Sequence, residues 1–159
     1  HDFVNQDEDV VVLYVRRGCA KCGKAFRYYK DFINFIEDSN VSTKFGFIDI
    51  SRNGVKGGFP IRVRDPHFVI YSKGKKANPI PLLNVNDVPS LMSSIAMFGT
   101  NNTFMGGPKK MPESDFKELK ERVKYVLPKL PYHYEKLVKK TMKTITEFQK
   151  KEDETKQEL

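Results

Sequence analysis

An α/β domain built on a mixed β-sheet flanked by helices, with a helical extension after it, is the fold class the sequence predicts. Three observations predict it. The run Val10-Val11-Val12-Leu13-Tyr14-Val15 is continuously β-branched, aliphatic or aromatic, the habit of a strand buried on both faces of a parallel sheet. Apolar residues at helical spacing follow it at once. Farther on, two short apolar runs are separated by Lys73-Gly74, a turn signal of antiparallel neighbours, so one sheet carries both kinds of pairing.

Each element follows in order. From Gly23 onward, Phe26, Tyr29, Ile33 and Ile36 recur every three or four residues, the period of a helix packed on a sheet, so a helix begins at or within the pair Cys19 and Cys22. Lys44 to Ile50 alternates toward a second strand, and Ser51 to Gly58, with Asn53-Gly54 and Gly57-Gly58, reads as loop. Phe68 to Tyr71 is a third strand, introduced by Asp65-Pro66. Ile80-Pro81-Leu82-Leu83 is a short return strand, and its proline confines it to an edge. Val88, Leu91, Met92, Ile95, Met97 and Phe98 mark a second helix, capped at Asn86 or Asp87 and ending at Gly99. Residues 1–100 thus form the main domain, and the polar, Gly- and Pro-rich residues 101–112 a linker. In a helical tail over 113–150, Phe116, Leu119, Val123, Val126 and Leu127 mark one amphipathic helix. Tyr134, Leu137, Val138, Met142, Ile145 and Phe148 mark another, with Pro128 and Pro131 interrupting. Residues 151–159, almost wholly charged or polar, are expected to be disordered.

Composition narrows the function. A chain of 159 residues suffices for one core and an appendage. No run approaches the roughly 18 apolar residues of a membrane span, so no membrane partner is expected. The first residues carry no signal-peptide pattern, so any such segment is expected to have been removed or to lie outside this sequence. The net charge of +8 is shared evenly: residues 1–108 hold 14 Lys and Arg against 10 Asp and Glu, and residues 109–159 hold the same. The charge reads as spread out, with no concentration in one stripe or patch and no recognised binding motif, so nucleic acid is not expected as a partner. His1, His67 and His133 stand far apart, and two cysteines alone fall short of a structural zinc set, so no metal is expected.

Cys19 and Cys22 are the only cysteines, three positions apart at a strand-to-helix junction. A dithiol that closes a small ring needs that spacing, and a helix start stabilises the thiolate of the first sulfur. Cys19 is then the exposed attacking sulfur, and Cys22, one turn in, the more buried one that resolves a mixed disulfide. Arg16, Arg17, Lys21 and Lys24 surround the pair, and Arg17 and Lys21 in particular should tune the thiolate downward, giving a comparatively oxidising pair. Two inert buried cysteines, or half of a zinc knuckle, is the competing account.

With these residues in place the chain resembles the protein disulfide isomerase family over about residues 3 to 98. Val10 to Val15 runs into the CxxC helix. Val41 to Asp49 resembles the family's next strand with its aspartate, and Asp65 to Lys76 resembles the segment beginning at its cis-proline. The resemblance implies a thioredoxin-like fold and makes Pro66 the cis-proline facing the CxxC, where an extended substrate chain is positioned. An ordinary trans turn proline is the alternative. Several positions depart from the family. Gly18 replaces the tryptophan before the first cysteine, Ala20-Lys21 replaces Gly-His, and Leu13 replaces the buried glutamate. Arg27 replaces a kinking proline, and Asp65 an apolar residue or Thr. Only nine residues precede Val10, leaving no room for the family's first strand and helix: either the domain is trimmed or the chain is cut from a longer one.

Lys156-Gln157-Glu158-Leu159 differs from the KDEL retention signal only in Gln for Asp, which places the expected location in the endoplasmic reticulum lumen with a retention receptor as partner. Asn40-Val41-Ser42 and Asn101-Asn102-Thr103 are glycosylation sequons permitted there. The expected function is a thiol–disulfide oxidoreductase or isomerase acting on folding, disulfide-containing client proteins, with glutathione or a thiol oxidase as redox partner. No cofactor beyond the disulfide is expected. The alternative is a catalytically weak, thioredoxin-like chaperone or client-binding module. For the tail, self-packing competes with a client groove lined by Phe116, Tyr125, Tyr132, Tyr134 and Phe148.

Overall fold

Strand β1, Val10–Val15, takes hydrogen-bonded neighbours on both sides in the computed structural model, as its unbroken apolar run requires. On one side β2, Lys44–Asp49, pairs parallel to it, with Val10 opposite Lys44 and Val15 opposite Asp49. On the other side β3, His67–Tyr71, pairs antiparallel, with Tyr14 opposite His67. Edge strand β4, Ile80–Leu82, closes the order β2-β1-β3-β4, antiparallel to β3. A parallel pair needs a long crossover, and helix α1, Cys22–Ile36, lies in that connection. Gly74, at φ +69°, makes the β3–β4 turn. Residues 2–37, 39, 41–53, 66–100, 110–130 and 132–157 are described.

Both faces of the central strands β1 and β3 are buried. Val11, Leu13, Phe68, Ile70 and Leu82 face α1 and helix α2, Val88–Phe98, where they meet Ala25, Tyr29, Phe32, Ile36, Leu91 and Ile95. On the opposite face Val10, Val12, Tyr14, Val69, Tyr71 and Ile50 form a second cluster. The buried stripe of α1 is Cys22, Ala25, Tyr29, Phe32 and Ile36, so the expected core role of Phe26 is corrected. Phe26 is 39% exposed and meets Phe47 of β2 edge-on at 5.0 Å between centroids. Its spacing from Tyr29 fits the helical period, but the stripe is centred one position earlier, on Ala25. Tyr29 anchors the helix by donating its hydroxyl to the carbonyls of Val11 and Gly46, at 3.1 and 3.0 Å.

Helix α2 is capped by Asp87, whose carboxylate accepts from Ser90 N–H at 2.9 Å, while Ser90 Oγ accepts from Asp87 N–H at 3.1 Å. Residues 2–8 form turns and bends rather than a strand or helix. Four strands, mixed pairing, an open sheet and flanking helices are consistent with a thioredoxin-like fold.

The chain divides into two compact units, His1–Pro108 and Lys109–Leu159. The second holds α3, Glu113–Val126, a 3-10 turn at Leu127–Lys129 around Pro128, and α4, Tyr132–Gln157. Gln149, buried in α4, accepts from Met111 N–H at 3.1 Å and donates to Met111 O at 3.0 Å. The disorder expected from residue 151 is corrected: α4 continues to Gln157. Low hydrophobicity argues against a core, not against a helix, and Lys, Glu and Gln extend a helix already nucleated upstream. Most of the expected linker, residues 101–109, lies outside the described residues, as do Pro131, Asn40, the sequon at Asn101, and Glu158 and Leu159 of the terminal motif.

Candidate functional site

The site is built where β1 ends. Ile50 N–H donates to Val15 O at 2.9 Å, and Arg17 N–H donates to Ser51 Oγ at 3.2 Å, so the chain leaving β2 holds the chain leaving β1. Ser51 donates its own N–H to Asp49 Oδ1 at 2.9 Å and its hydroxyl to the same oxygen. Those two bonds hold the Asp49 carboxyl below the usual carboxylate range, with Arg52 and Arg17 adding to the shift. Gly18 then turns the chain at φ +76°, in the left-handed region that an L side chain enters only at a cost. A side chain at this position is therefore disfavoured by backbone conformation rather than by space, since a Cβ on Gly18 meets nothing within 4 Å.

Cys19 and Cys22 form a disulfide, their Cα atoms 5.4 Å apart. Cys19 N–H donates to Arg16 O at 3.3 Å, and Cys22 N–H to Cys19 O at 3.2 Å, so the pair closes one turn that leads into α1. Cys19 is half-buried and Cys22 only 8% exposed. Access therefore favours attack at the first sulfur. Helix α1 begins with no side-chain cap and no acidic residue in its first turn. Its positive end is uncompensated by carboxylate and stands where a thiolate would form on reduction.

Arg16 is half-buried, while Arg17, Lys21 and Lys24 are exposed around the disulfide. Pro66 is half-buried and immediately precedes β3. The register that sets Tyr14 opposite His67 makes Val15 the next position opposite Pro66, so the topology brings Pro66 to the end of the sheet that carries the cysteines. The expected cis bond joins it to Asp65, which lies outside the described residues. Leu13 is fully buried on the α1 face. Among the described residues the one buried carboxylate, Asp9, lies before β1 at its far end. No proton-accepting carboxylate stands beneath Cys22 among the described residues. His67 stacks on Tyr14 at 5.7 Å, and no group of His, Cys, Asp or Glu able to hold a metal occurs among the described residues.

Ser51 was not singled out by sequence. The Asp49-Ile50-Ser51 spacing is a local side-chain-to-backbone turn pattern that could have suggested it. No protein-family model matches the chain and no curated protein matches it. The likeness to disulfide isomerases rests on the cysteine pair and on a fold compatible with a thioredoxin-like domain. A CxxC disulfide at a strand-to-helix junction points to a thiol–disulfide redox role.

Proposed function

We propose that the protein is a thiol–disulfide oxidoreductase acting on disulfides of folding secretory proteins in the lumen of the endoplasmic reticulum. The observation that carries the redox reading is the Cys19–Cys22 disulfide, with one sulfur more accessible than the other, at the start of an uncapped helix. A client thiolate attacks Cys19 Sγ, a client–Cys19 bond forms, and the Cys19–Cys22 bond breaks with its electron pair on Cys22. A second client thiolate then attacks the client sulfur and releases Cys19 as thiolate. The client gains a disulfide and the pair is reduced by two electrons. An external disulfide such as oxidised glutathione, or a thiol oxidase, restores it. The pair itself carries the electrons, so no further cofactor takes part. Arg17 and Lys21 lower the cost of the cysteine thiolates, and Pro66 borders the place where an extended client lies. The endoplasmic location and the retention receptor rest on Lys156-Gln157-Glu158-Leu159 and on the family resemblance.

A second reading, a client-binding module with little turnover, is favoured by Leu13 in place of a buried carboxylate. The deciding experiment equilibrates Cys19–Cys22 with glutathione and assays insulin reduction and scrambled-ribonuclease refolding on the same sample. A potential near that of disulfide isomerases, about −180 mV, with turnover supports the enzyme. Exchange with glutathione but no turnover of protein substrates supports the binding module, and no exchange at all removes the redox role.

A further inference from the structure

The first unit distributes its charge unevenly. Between residues 16 and 30 stand Arg16, Arg17, Lys21, Lys24, Arg27 and Lys30, with no carboxylate. Residues 1–108 as a whole hold 14 cations against 10 carboxylates, so these six exceed the surplus of the whole unit. Arg17, Lys24, Arg27 and Lys30 are exposed, and no ion pair joins Arg16, Lys24, Arg27 or Lys30 to a carboxylate among the described residues. Asp49, the carboxylate at the end of β2 opposite Val15, is already hydrogen-bonded by Ser51 and influenced by Arg52 and Arg17.

The acids gather at the other end of β1. Asp7 pairs with Lys73 at 3.1 Å and Glu8 with Lys44 at 3.5 Å, while Asp9 accepts from Lys73 N–H and Thr100. The six residues of β1 separate the two ends by about 20 Å, at roughly 3.3 Å per residue. That exceeds the Debye length of about 8 Å at physiological ionic strength, so the acids do not neutralise the field at the cysteines.

We propose, on the basis of the redox reading above, that the Cys19–Cys22 site selects anionic thiols: its substrates carry net negative charge beside the attacking sulfur. A cationic field around the half-buried Cys19 raises the local concentration of such thiols and repels cationic ones. In the step concerned, an anionic thiolate attacks Cys19 Sγ and Cys22 leaves as thiolate. A second thiolate then displaces Cys19, so two thiols become one disulfide while the protein disulfide becomes a dithiol.

The test measures the rate of reduction of the full chain by glutathione, which is anionic, and by cysteamine, which is cationic, each per unit thiolate. The ratio is compared with the same ratio on an uncharged small disulfide, which cancels intrinsic nucleophilicity. The protein's ratio is expected to exceed the reference by about tenfold or more at low salt. It should collapse toward the reference as ionic strength rises from about 0.01 M to about 1 M, where the Debye length shrinks from about 30 Å to about 3 Å. Lys24→Glu, and Arg17→Glu with Lys24→Glu, should lower the ratio stepwise. The Arg17 change spares the backbone bond to Ser51, and near-UV circular dichroism reports whether the fold survives. A ratio equal to the reference and flat with salt overturns the selectivity and leaves the redox reading standing. Failure of every thiol to reduce the pair overturns both.

Discussion

Asp9 illustrates how a buried carboxylate is tolerated when both of its oxygens accept hydrogen bonds. Its carboxylate accepts Lys73 N–H at 2.8 Å, Thr100 N–H at 2.5 Å and Thr100 Oγ1–H at 2.9 Å, and so joins the β3–β4 turn and the end of α2 to the start of β1. Asp9→Ala would strand these donors, and the expected loss is about 3 kcal/mol in urea unfolding. Because Asp9 lies at the far end of β1 from the cysteines, the rate of disulfide exchange in the folded variant should not change. Gly18 gives the opposite case, where backbone rather than contacts decides. Gly18→Trp would place a side chain at φ +76°, and the expected cost is about 1–2 kcal/mol by the same measurement. A Gly18→Trp variant as stable as the parent would show that the turn relaxes.

At the level of elements, α1 and α2 begin differently and for different ends. Asp87 and Ser90 satisfy the first turn of α2 reciprocally, and Asp87→Ala should cost about 1 kcal/mol of stability while leaving the disulfide's reactivity alone. Helix α1 has no such cap: Lys21 makes no side-chain capping bond, and the first turn holds no acid. Stability is given up at that end, and the helix dipole is left to act on the sulfur chemistry. Strand β4 tolerates Pro81 because it lies at the edge of the sheet, with β3 as its one neighbour. In the second unit, the Gln149–Met111 bonds tie the residues before α3 to the later turns of α4, a polar staple that apolar periodicity does not reveal.

Across the whole molecule, the tyrosines link stability to pH. Burial pushes Tyr28 up to about 12, with Asp87 adding, and raises Tyr14, Tyr29 and Tyr71 as well, again chiefly through burial. Phenols whose native values lie above the unfolded value stabilise the fold fully below about pH 10. That contribution is lost as pH rises through the native values, because the unfolded chain releases those protons first. Unfolding midpoints in urea should therefore fall steadily above pH 10, and ultraviolet titration should find fewer ionised tyrosines in the native protein than in the unfolded one at pH 11. The strands, α1, α2 and the cysteine motif were legible in the sequence because each announces itself locally: an apolar run, a helical period, a cap, a three-residue spacing. Phe26 was misassigned because a period fixes the face of a helix only to within a residue, and the sheet selected Ala25 instead. Nothing apolar announces the helix beyond residue 150, because Lys, Glu and Gln favour a helix without contributing to a core. Asp9, Ser51 and the separation of acids from cations along β1 required the fold itself. Their partners are distant in sequence or set by backbone direction, and only the packed sheet decides which charges meet and which stay about 20 Å apart.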